Sequence, residues 1–332
     1  MLIDFYGLII KCKTDSEDLT AELLRPYRHF LKAAPSSEKQ SLTIVAEEKA
    51  PPYKDFPSLA SSFSTPRNIV YKSKELKIVD YFGKAAVVED MNTSVHTIYS
   101  ADRGLLSEIF YLLVLSLIGR FCDKNDILRL HALGLSHGEK AFVILMPPGS
   151  GKSTIALSLI KEPDIKLISD DEPLFNGSGS IAPFPLRIGA LVKERIGNVP
   201  DKYVYKVDRM EFGPKYFVDY DYYKEKVEDR FLKDVTLISG KRTLNCEPGI
   251  KNISKMKMFK TLLRDAVVGV GLFQGVEFIF NSSQSEIFSK IPVLFKRLFL
   301  AIRLVSSART YELTISSDIE QNARVITDFM RN

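Results

Sequence analysis

The sequence predicts an α/β protein whose larger C-terminal part contains a mixed sheet and follows a smaller α+β domain. Short apolar strands dominate the first 100 residues, where one helical stretch interrupts them. After residue 125, two apolar strands lead into a glycine-rich turn and a helix. Helical patterns and one strand complete the chain. We therefore place a domain boundary near residue 100, with an α+β domain over 1–100 and the larger domain over 101–332.

The N-terminal domain is defined by alternating apolar residues. "LIDFYGLIIKCK" is rich in β-branched and aromatic residues and predicts a strand. "SEDLTAELLRPYRHFLKAA" predicts a helix, because Ser16 and acidic residues open it. Residues 51–66 hold four prolines and many serines, which indicates a loop. The remaining short strands are "SLTIVAEE", "NIVYKS", "LKIVDYF", "KAAVVED" and "VHTIYS".

A long apolar helical pattern, "ADRGLLSEIFYLLVLSLIGRF", follows the boundary and is expected to bridge the two parts. "ILRLHALGLS" and "KAFVILMPP" predict a hairpin around "HGEK". "GKSTIALSLIKE" predicts a helix, and "IKLISDDEPLF" predicts a strand ending in acids. Residues 200–250 are tyrosine-rich and charged without a clear period, and we interpret them as an extended insertion or loop region. Helices are expected near 252–268 and 284–305, then the strand "RTYELTIS" and the closing helix "DIEQNARVITDFMRN".

The composition excludes several classes of function. A formal net charge of +5 over 332 residues is modest, so we expect no nucleic-acid partner. Three widely spaced cysteines, Cys12, Cys122 and Cys246, favour structural thiols in a reducing compartment, and hence a cytoplasmic location. The N-terminus lacks a basic region and a cleavage site, which argues against a signal peptide.

The most apolar late segment, residues 287–308, does not have the composition of a membrane span. Five proline or basic residues interrupt it, whereas a span needs about 20 mostly apolar residues. We predict an amphipathic helix that packs on the core, with a membrane-surface or partner helix as the alternative.

The stretch "ILMPPGSGKSTIAL", residues 144–157, is typical of a phosphate-binding loop, whose full pattern is G-x-x-x-x-G-K-[ST]. Met146 replaces the first glycine, at a position that tolerates variation better than the Gly-Lys-Ser core does. Because a strand precedes and a helix follows, backbone N–H groups are expected to converge on phosphate oxygens. The alternative is a chance glycine-rich helix start. The predicted nucleotide-binding residues are Gly149, Ser150, Gly151, Lys152, Ser153 and Thr154.

Two adjacent aspartates complete the predicted chemistry. Asp170 lies 18 residues after Lys152, so the helix after the loop is expected to lead into an adjacent strand that ends beside the phosphates. One carboxylate can hold Mg²⁺ while the other accepts a proton from an attacking hydroxyl. We take Ser153 and Asp170 as the metal ligands and Asp171 as the base, and the two aspartates could exchange these roles. Glu172 is a candidate supporting group, and the alternative for all three acids is a solvated turn.

Two further residues are candidates for the site. His131 in "LRLHALGLS" is expected on a strand beside the loop strand, from which it could reach the phosphates. Its alternative is a satisfied core histidine. Arg187 in "PFPLRIGA" could neutralise transferring charge, or form a surface ion pair.

The order of these features resembles the catalytic domain of the HPr serine kinase/phosphorylase family, whose core is similar to that of phosphoenolpyruvate carboxykinases. The resemblance covers residues 127–190, from "LHALGLSHGEKAFVILMPPGSGKSTIALSLI" to "KLISDDEPLF". It implies a P-loop catalytic core that uses ATP and Mg²⁺, with an aspartate as base and metal ligand. Met146, the lack of a glycine-rich signature after the acids, and an unrelated N-terminal domain are departures from the family.

The resemblance therefore implies an ATP- and Mg²⁺-dependent kinase that phosphorylates a serine of a peptide or small protein. A lasso-peptide precursor is one such acceptor. The expected catalytic residues are Asp171, Asp170, His131 and Arg187, and the two aspartates could exchange roles. The N-terminal domain and 200–250 would recognise the acceptor. The alternatives are a nucleotide-binding scaffold without transfer, a kinase of free serine, and a carboxykinase-like enzyme. The oligomeric state stays open, with a homo-oligomer among the alternatives.

Overall fold

The computed structural model describes residues 1–35, 40–147, 149–209, 213–263 and 284–332. Within them the chain forms two compact units, one dominated by Met1–Phe121 and the other containing Cys122–Lys206 and most described residues after 214. Both units combine helices with a mixed sheet, which confirms the predicted mixed α/β class. All three cysteines are free thiols.

The first unit is built on a nine-stranded sheet with the order β3-β1-β2-β4-β9-β8-β7-β6-β5. Strand β4 runs parallel to β2 and to β9, and the other neighbours are antiparallel. Its elements are β1 Leu2–Phe5, β2 Leu8–Thr14, α1 Glu17–Leu24, β3 Leu31–Lys32, β4 Gln40–Glu47, β5 Ser61–Ser64, β6 Ile69–Lys72, β7 Leu76–Asp80, β8 Ala85–Asp90 and β9 Val95–Ser100.

Two details of this sheet differ from the sequence prediction. The first predicted strand is a hairpin, because Tyr6 and Gly7 take positive φ values of 50° and 98° and reverse the chain. The expected loop over 51–66 contains β5, which pairs with β6 at the edge of the sheet. Serine-rich edge strands have little apolar alternation, so β5 gives a weak sequence signal.

Helix α2, Arg103–Lys124, belongs mainly to the first unit. The Tyr27 hydroxyl donates to the carbonyl of Tyr111 at 3.1 Å, and the rings of Phe5 and Phe121 pack edge to face. These contacts hold α2 in the first unit, whose first segment ends at Phe121, whereas the sequence placed the boundary near residue 100. Among the described residues, α2 alone is long and apolar enough to cross a membrane, and 72% of its most apolar window is buried.

The second unit contains a six-stranded mixed sheet with the order β13-β11-β12-β19-β21-β20, and two three-stranded sheets, β10-β14-β15 and β16-β18-β17. The strands are β10 Ile127–Arg129, β11 Ala132–His137, β12 Lys140–Leu145, β13 Ile165–Ser169, β14 Leu174–Asn176, β15 Ile181–Ala182, β16 Ile188–Ala190, β17 Val204–Arg209, β18 Gly213–Val218, β19 Asp234–Arg242, β20 Gly249–Asn252 and β21 Arg309–Ile315. The helices are α3 Lys152–Leu159, α4 Tyr220–Tyr223, α5 Lys255–Leu262, α6 Gln284–Ser307 and α7 Ile319–Arg331.

Strand β12 is apolar throughout because both of its faces are buried. Phe142 and Ile144 pack in a core with α3 and α7, while Val143 and Leu145 pack in another with α5 and α6. The predicted hairpin is confirmed, since β11 and β12 pair antiparallel around Gly138, whose φ is 58°.

The interpretation of 200–250 as an insertion or loop is wrong where the chain forms β17, β18 and β19. Strand β19 lies between β12 and β21 and pairs parallel with both, so it is central to the sheet. Its short apolar run shows no alternation of polar and apolar residues, as expected for a strand buried on both faces. The expected helix near 252–268 is α5 within the described residues, and 264–268 lie outside them.

The sheet order brings the candidate residues to one edge. Strands β12 and β13 are both antiparallel to β11, so their carboxyl ends lie at the edge where β11 begins. The phosphate-type loop follows β12, the acids follow β13, and His131 precedes β11. The expectation that the acids end a strand adjacent to β12 is wrong, because β11 lies between the two.

Candidate active site

The glycine-rich loop connects β12 to α3. Gly149 and Gly151 have φ values of 75° and 101°, which side-chain-bearing residues rarely adopt. Gly151 is the N-cap residue of α3, and Lys152, Ser153 and Thr154 form its first turn. The Ser150 hydroxyl donates to the carbonyl of Pro147 and closes the turn locally. The loop therefore presents backbone N–H groups at a helix start, the arrangement that binds anions.

Met146, which stands at the first glycine position of the motif, points its side chain into the core. It is 1% exposed and packs against Gly240 of β19, where an added Cβ would lie 2.4 Å from Met146 Cγ. Its carbonyl oxygen accepts a hydrogen bond of 2.8 Å from Lys152 Nζ. The Met146 side chain therefore fits only because the residue opposite it on the neighbouring strand β19 is a glycine.

A chain of polar contacts links the loop lysine to the second aspartate. Lys152 Nζ lies 3.0 Å from His131 Nε2, and His131 Nδ1 lies 3.0 Å from Asp171 Oδ1. Since the ammonium has only donors, we assign Nε2 as acceptor and Nδ1 as the protonated nitrogen. His131 occupies the bend just before β11, not the strand on which the sequence placed it. The histidine fixes the relative positions of Lys152 and Asp171.

The first aspartate is buried beside the loop serine. Ser153 Oγ donates to Asp170 Oδ2 at 2.9 Å, and Asp170 is 7% exposed. Its other oxygen, Oδ1, has no hydrogen-bond partner among the described residues. Burial, and then the charge of Asp171, raise the pKa of Asp170 to about 7. A buried carboxylate oxygen without a partner is costly unless a cation or donor reaches it.

The second aspartate has the opposite character. The side chain of Asp171 is 55% exposed. Partial desolvation opposes its ionisation, but the hydrogen bond and charge of His131, with the charges of Lys152 and Lys215, hold the pKa of Asp171 below its usual value. The pair therefore divides into a buried carboxyl that needs a cation and an accessible, ionised carboxylate.

Glu172 lies behind this pair and contacts Arg129 rather than the loop. The two side chains are 5% and 6% exposed, and Arg129 Nη1 lies 3.5 Å from Glu172 Oε2. Burial raises the pKa of Glu172, against the charge of Arg129. Its backbone N–H donates to Ser169 Oγ at 3.0 Å, which fixes the turn that carries the aspartates.

Arg187, the remaining candidate, lies against an aromatic ring. Its guanidinium carbon is 4.0 Å from the ring centroid of Phe217, and Lys215 Nζ is 5.1 Å from the same centroid. The positive charge of Lys215 favours the ionised form of both aspartates and so lowers the pKa of each, as the charge of Lys152 also does. Lys215 carries no sequence signal, because it lies 44 residues after Asp171 in a charged, tyrosine-rich stretch.

The residues present fit Mg²⁺ of a bound nucleotide. In the described part of the chain, no group of three or more histidine, cysteine, aspartate or glutamate side chains could hold a metal by itself. Nucleotide-bound Mg²⁺ needs fewer protein ligands, because phosphate oxygens and waters supply the others. Ser153 Oγ and the unpartnered Asp170 Oδ1 are hard oxygen donors on adjacent side chains, as that ion prefers.

No protein-family model matches the chain, and no curated protein matches it.

Proposed function

We propose that this protein is an ATP- and Mg²⁺-dependent kinase that phosphorylates a serine hydroxyl of a peptide or small protein. The observation that carries the proposal is the contact between Ser153 and Asp170, whose free carboxylate oxygen is buried at the start of the glycine-rich loop helix. A loop with this geometry binds phosphate, and an acid beside its serine holds the metal.

Each group of the site then has a role. The loop N–H groups and Lys152 bind the β- and γ-phosphates, and Ser153 with Asp170 would hold Mg²⁺, which supplies charge neutralisation on the phosphate oxygens. Burial of Asp170 reduces competing water in this position. The raised pKa of Asp170 indicates that a cation is needed to keep this carboxyl ionised.

The transfer step uses Asp171. The serine oxygen of the acceptor bonds to the γ-phosphorus as the bond from that phosphorus to the ADP oxygen breaks, and the serine proton passes to Asp171. An exposed carboxylate can reach a peptide hydroxyl, and His131 holds it in position through Nδ1. The pKa of Asp171 lies below its usual value, so this carboxylate is a weak base and takes the proton late in the transfer. A weak base is sufficient here, because phosphoryl transfer depends mostly on positioning and electrostatics.

Mass spectrometry of serine peptides incubated with the protein and Mg-ATP tests the proposal. We expect a gain of about 80 Da, one phosphoryl group, on a serine. Lys152→Ala should abolish the gain. ATP binding by the wild-type chain without transfer to any serine peptide or to free serine would contradict the kinase and favour a nucleotide-binding scaffold. Transfer to free serine alone would contradict the peptide acceptor.

A further inference from the structure

Helix α6 has an exposed apolar face on the side away from the core. Leu300, Ala301, Leu304 and Val305 pack in the core cluster that also contains residues of α5 and β12. On the outer side, five large apolar residues are between 40% and 65% exposed. They are Ile291, Leu294, Phe295, Phe299 and Ile302. The amphipathic helix expected from the sequence therefore has one apolar face in the core and a second one in solvent.

The exposed residues form one continuous stripe along the helix. Ile291, Phe295, Phe299 and Ile302 follow one another at intervals of four, four and three residues, so they lie on one side of α6. Phe295 and Phe299 are the most exposed of them. Single apolar residues are common on protein surfaces, whereas a contiguous apolar stripe marks a surface that binds a partner.

The charges on α6 and on the neighbouring helix α5 have one sign. Every ionisable residue of α5, and of α6 from Ile291 onwards, is basic. They are Lys255, Lys257, Lys260, Lys296, Arg297 and Arg303. Helix α5 begins beside the end of α6, where Lys255 donates to the carbonyl of Ser306. The apolar stripe therefore lies on a basic pair of helices.

Three of these cations have no carboxylate partner among the described residues. Lys255 and Arg303 donate to backbone carbonyls, which leaves their charge uncompensated, and Lys260 is exposed without an ion pair. The other three contact the carboxylates of Glu312, Asp126 and Asp123. The occupant that complements such a surface is anionic on its outside and apolar beneath.

We propose that the outer face of α6, together with the basic residues of α5, docks on an anionic lipid bilayer. Phe295 and Phe299 enter the boundary between headgroups and acyl chains, while Lys255, Lys260 and Arg303 contact the anionic headgroups. A single helix presents a convex ridge, which a bilayer accepts without a matching groove. A second copy of this chain would instead bring cations against cations. The helix does not span the bilayer, because its inner face stays in the core.

Flotation with vesicles of phosphatidylcholine alone, and of phosphatidylcholine mixed with phosphatidylserine, tests this docking without requiring ATP. We expect the wild type to bind the mixed vesicles at least roughly tenfold more tightly than the neutral ones. The double variant Phe295→Ser, Phe299→Ser should bind the mixed vesicles roughly tenfold or more weakly, since it removes two large apolar side chains from the bilayer. Lys260→Gln should weaken binding about fivefold, the effect of one charge at an anionic surface, and less as salt is added.

Phe82→Ser is the matched control. Phe82 is also exposed, but it lies in the turn between β7 and β8. Its replacement should leave vesicle binding within about twofold, as for an isolated surface residue. The chain contains no tryptophan, so Phe299→Trp adds a single fluorophore that reports insertion even if the serine variant unfolds. Its emission should shift to shorter wavelength on mixed vesicles and be quenched by lipids with brominated acyl chains, whereas Phe82→Trp should not respond.

Three results would overturn the proposal. They are a wild type that floats with neither kind of vesicle, a folded serine double variant that floats as well as the wild type, and an unchanged emission of Phe299→Trp. Wild-type dimers that the double variant dissociates, without vesicle binding, would assign the stripe to a second copy. Equal binding to neutral and mixed vesicles would refute the role of the cations. None of these results bears on ATP binding, so the proposed function is tested separately.

Discussion

Replacing Asp170 by asparagine should stabilise the metal-free protein while it removes the proposed metal site. Asparagine has nearly the same shape and keeps an oxygen that can accept from Ser153 Oγ, as Asp170 Oδ2 does at 2.9 Å. It removes a buried charge next to Asp171. Replacing a residue that holds a ligand at the expense of stability raises the stability and weakens ligand binding, whereas replacing a structural residue lowers the stability.

The size of the effect follows from the pKa of Asp170, which burial and Asp171 raise from 3.8 to about 7. At about 1.4 kcal/mol for each pH unit, the ionised carboxyl disfavours the folded state by roughly 4 kcal/mol above pH 7. The new amide N–H group of asparagine lacks an acceptor and costs about 1–3 kcal/mol. The net gain in unfolding free energy at pH 8 is therefore about 1–3 kcal/mol.

Urea denaturation in a chelator at pH 8 and pH 5 measures this gain. Between pH 3.8 and 7 the folded wild type binds the proton more tightly than the unfolded chain, so its stability falls as the pH rises through that window. The advantage of Asp170→Asn should therefore be larger at pH 8 than at pH 5. ATP should raise the melting temperature of both proteins, and adding Mg²⁺ should increase that effect in the wild type and not in the variant. Loss of stability at pH 8, or a Mg²⁺-dependent increase in the variant, would refute this role of Asp170.

Three other perturbations give separable outcomes. Asp171→Asn should lower the free energy of unfolding, since His131 holds the pKa of Asp171 below its usual value. The variant should still bind ATP but should not transfer phosphate, and retained transfer would exclude Asp171 as the base. Gly240→Ala should cost about 1–3 kcal/mol in urea denaturation, because its Cβ meets Met146, and Met146→Ala should recover part of that cost; additive losses would disprove the contact. His96, 4% exposed, has its pKa lowered from 6.5 to about 4 by burial, with Arg120 and Lys77 adding to the shift against Glu89. As the pH falls below 6.5, His96 is protonated in the unfolded chain before it is protonated in the folded one. The free energy of unfolding of the wild type should therefore fall by up to about 3 kcal/mol by pH 4. A comparable fall in His96→Gln would exclude this histidine as the cause.

Local signals in the sequence were enough to predict the hairpin, the glycine-rich loop with its helix, and the strand that ends at the acids. Each depends on residues close together in the chain, such as "HGEK" at the hairpin or Gly151 at the helix start. Ser153 and Asp170 are only 17 residues apart in the chain, on consecutive helix and strand elements, so their contact was also predictable.

What the sequence did not predict depends on pairing between distant segments. Strand β19 is central because β12 and β21 pair with it, and its own residues show no period. The insertion of β11 between β12 and β13 is likewise a property of the sheet order. The packing of Met146 on Gly240 and the effect of the Lys215 charge on the pKa of Asp170 join residues 94 and 45 apart, with no local pattern to mark them.

We propose that the glycine-rich loop and the buried Asp170 form one site for Mg²⁺ and ATP. Calorimetric titration of ATP into the wild type and into Lys152→Ala, each with and without Mg²⁺, is the decisive measurement. We expect one ATP to bind per wild-type chain, with an affinity that increases with Mg²⁺, and at least a tenfold loss of affinity in Lys152→Ala. Absence of ATP binding to the wild type, or equal affinity in Lys152→Ala, would contradict it.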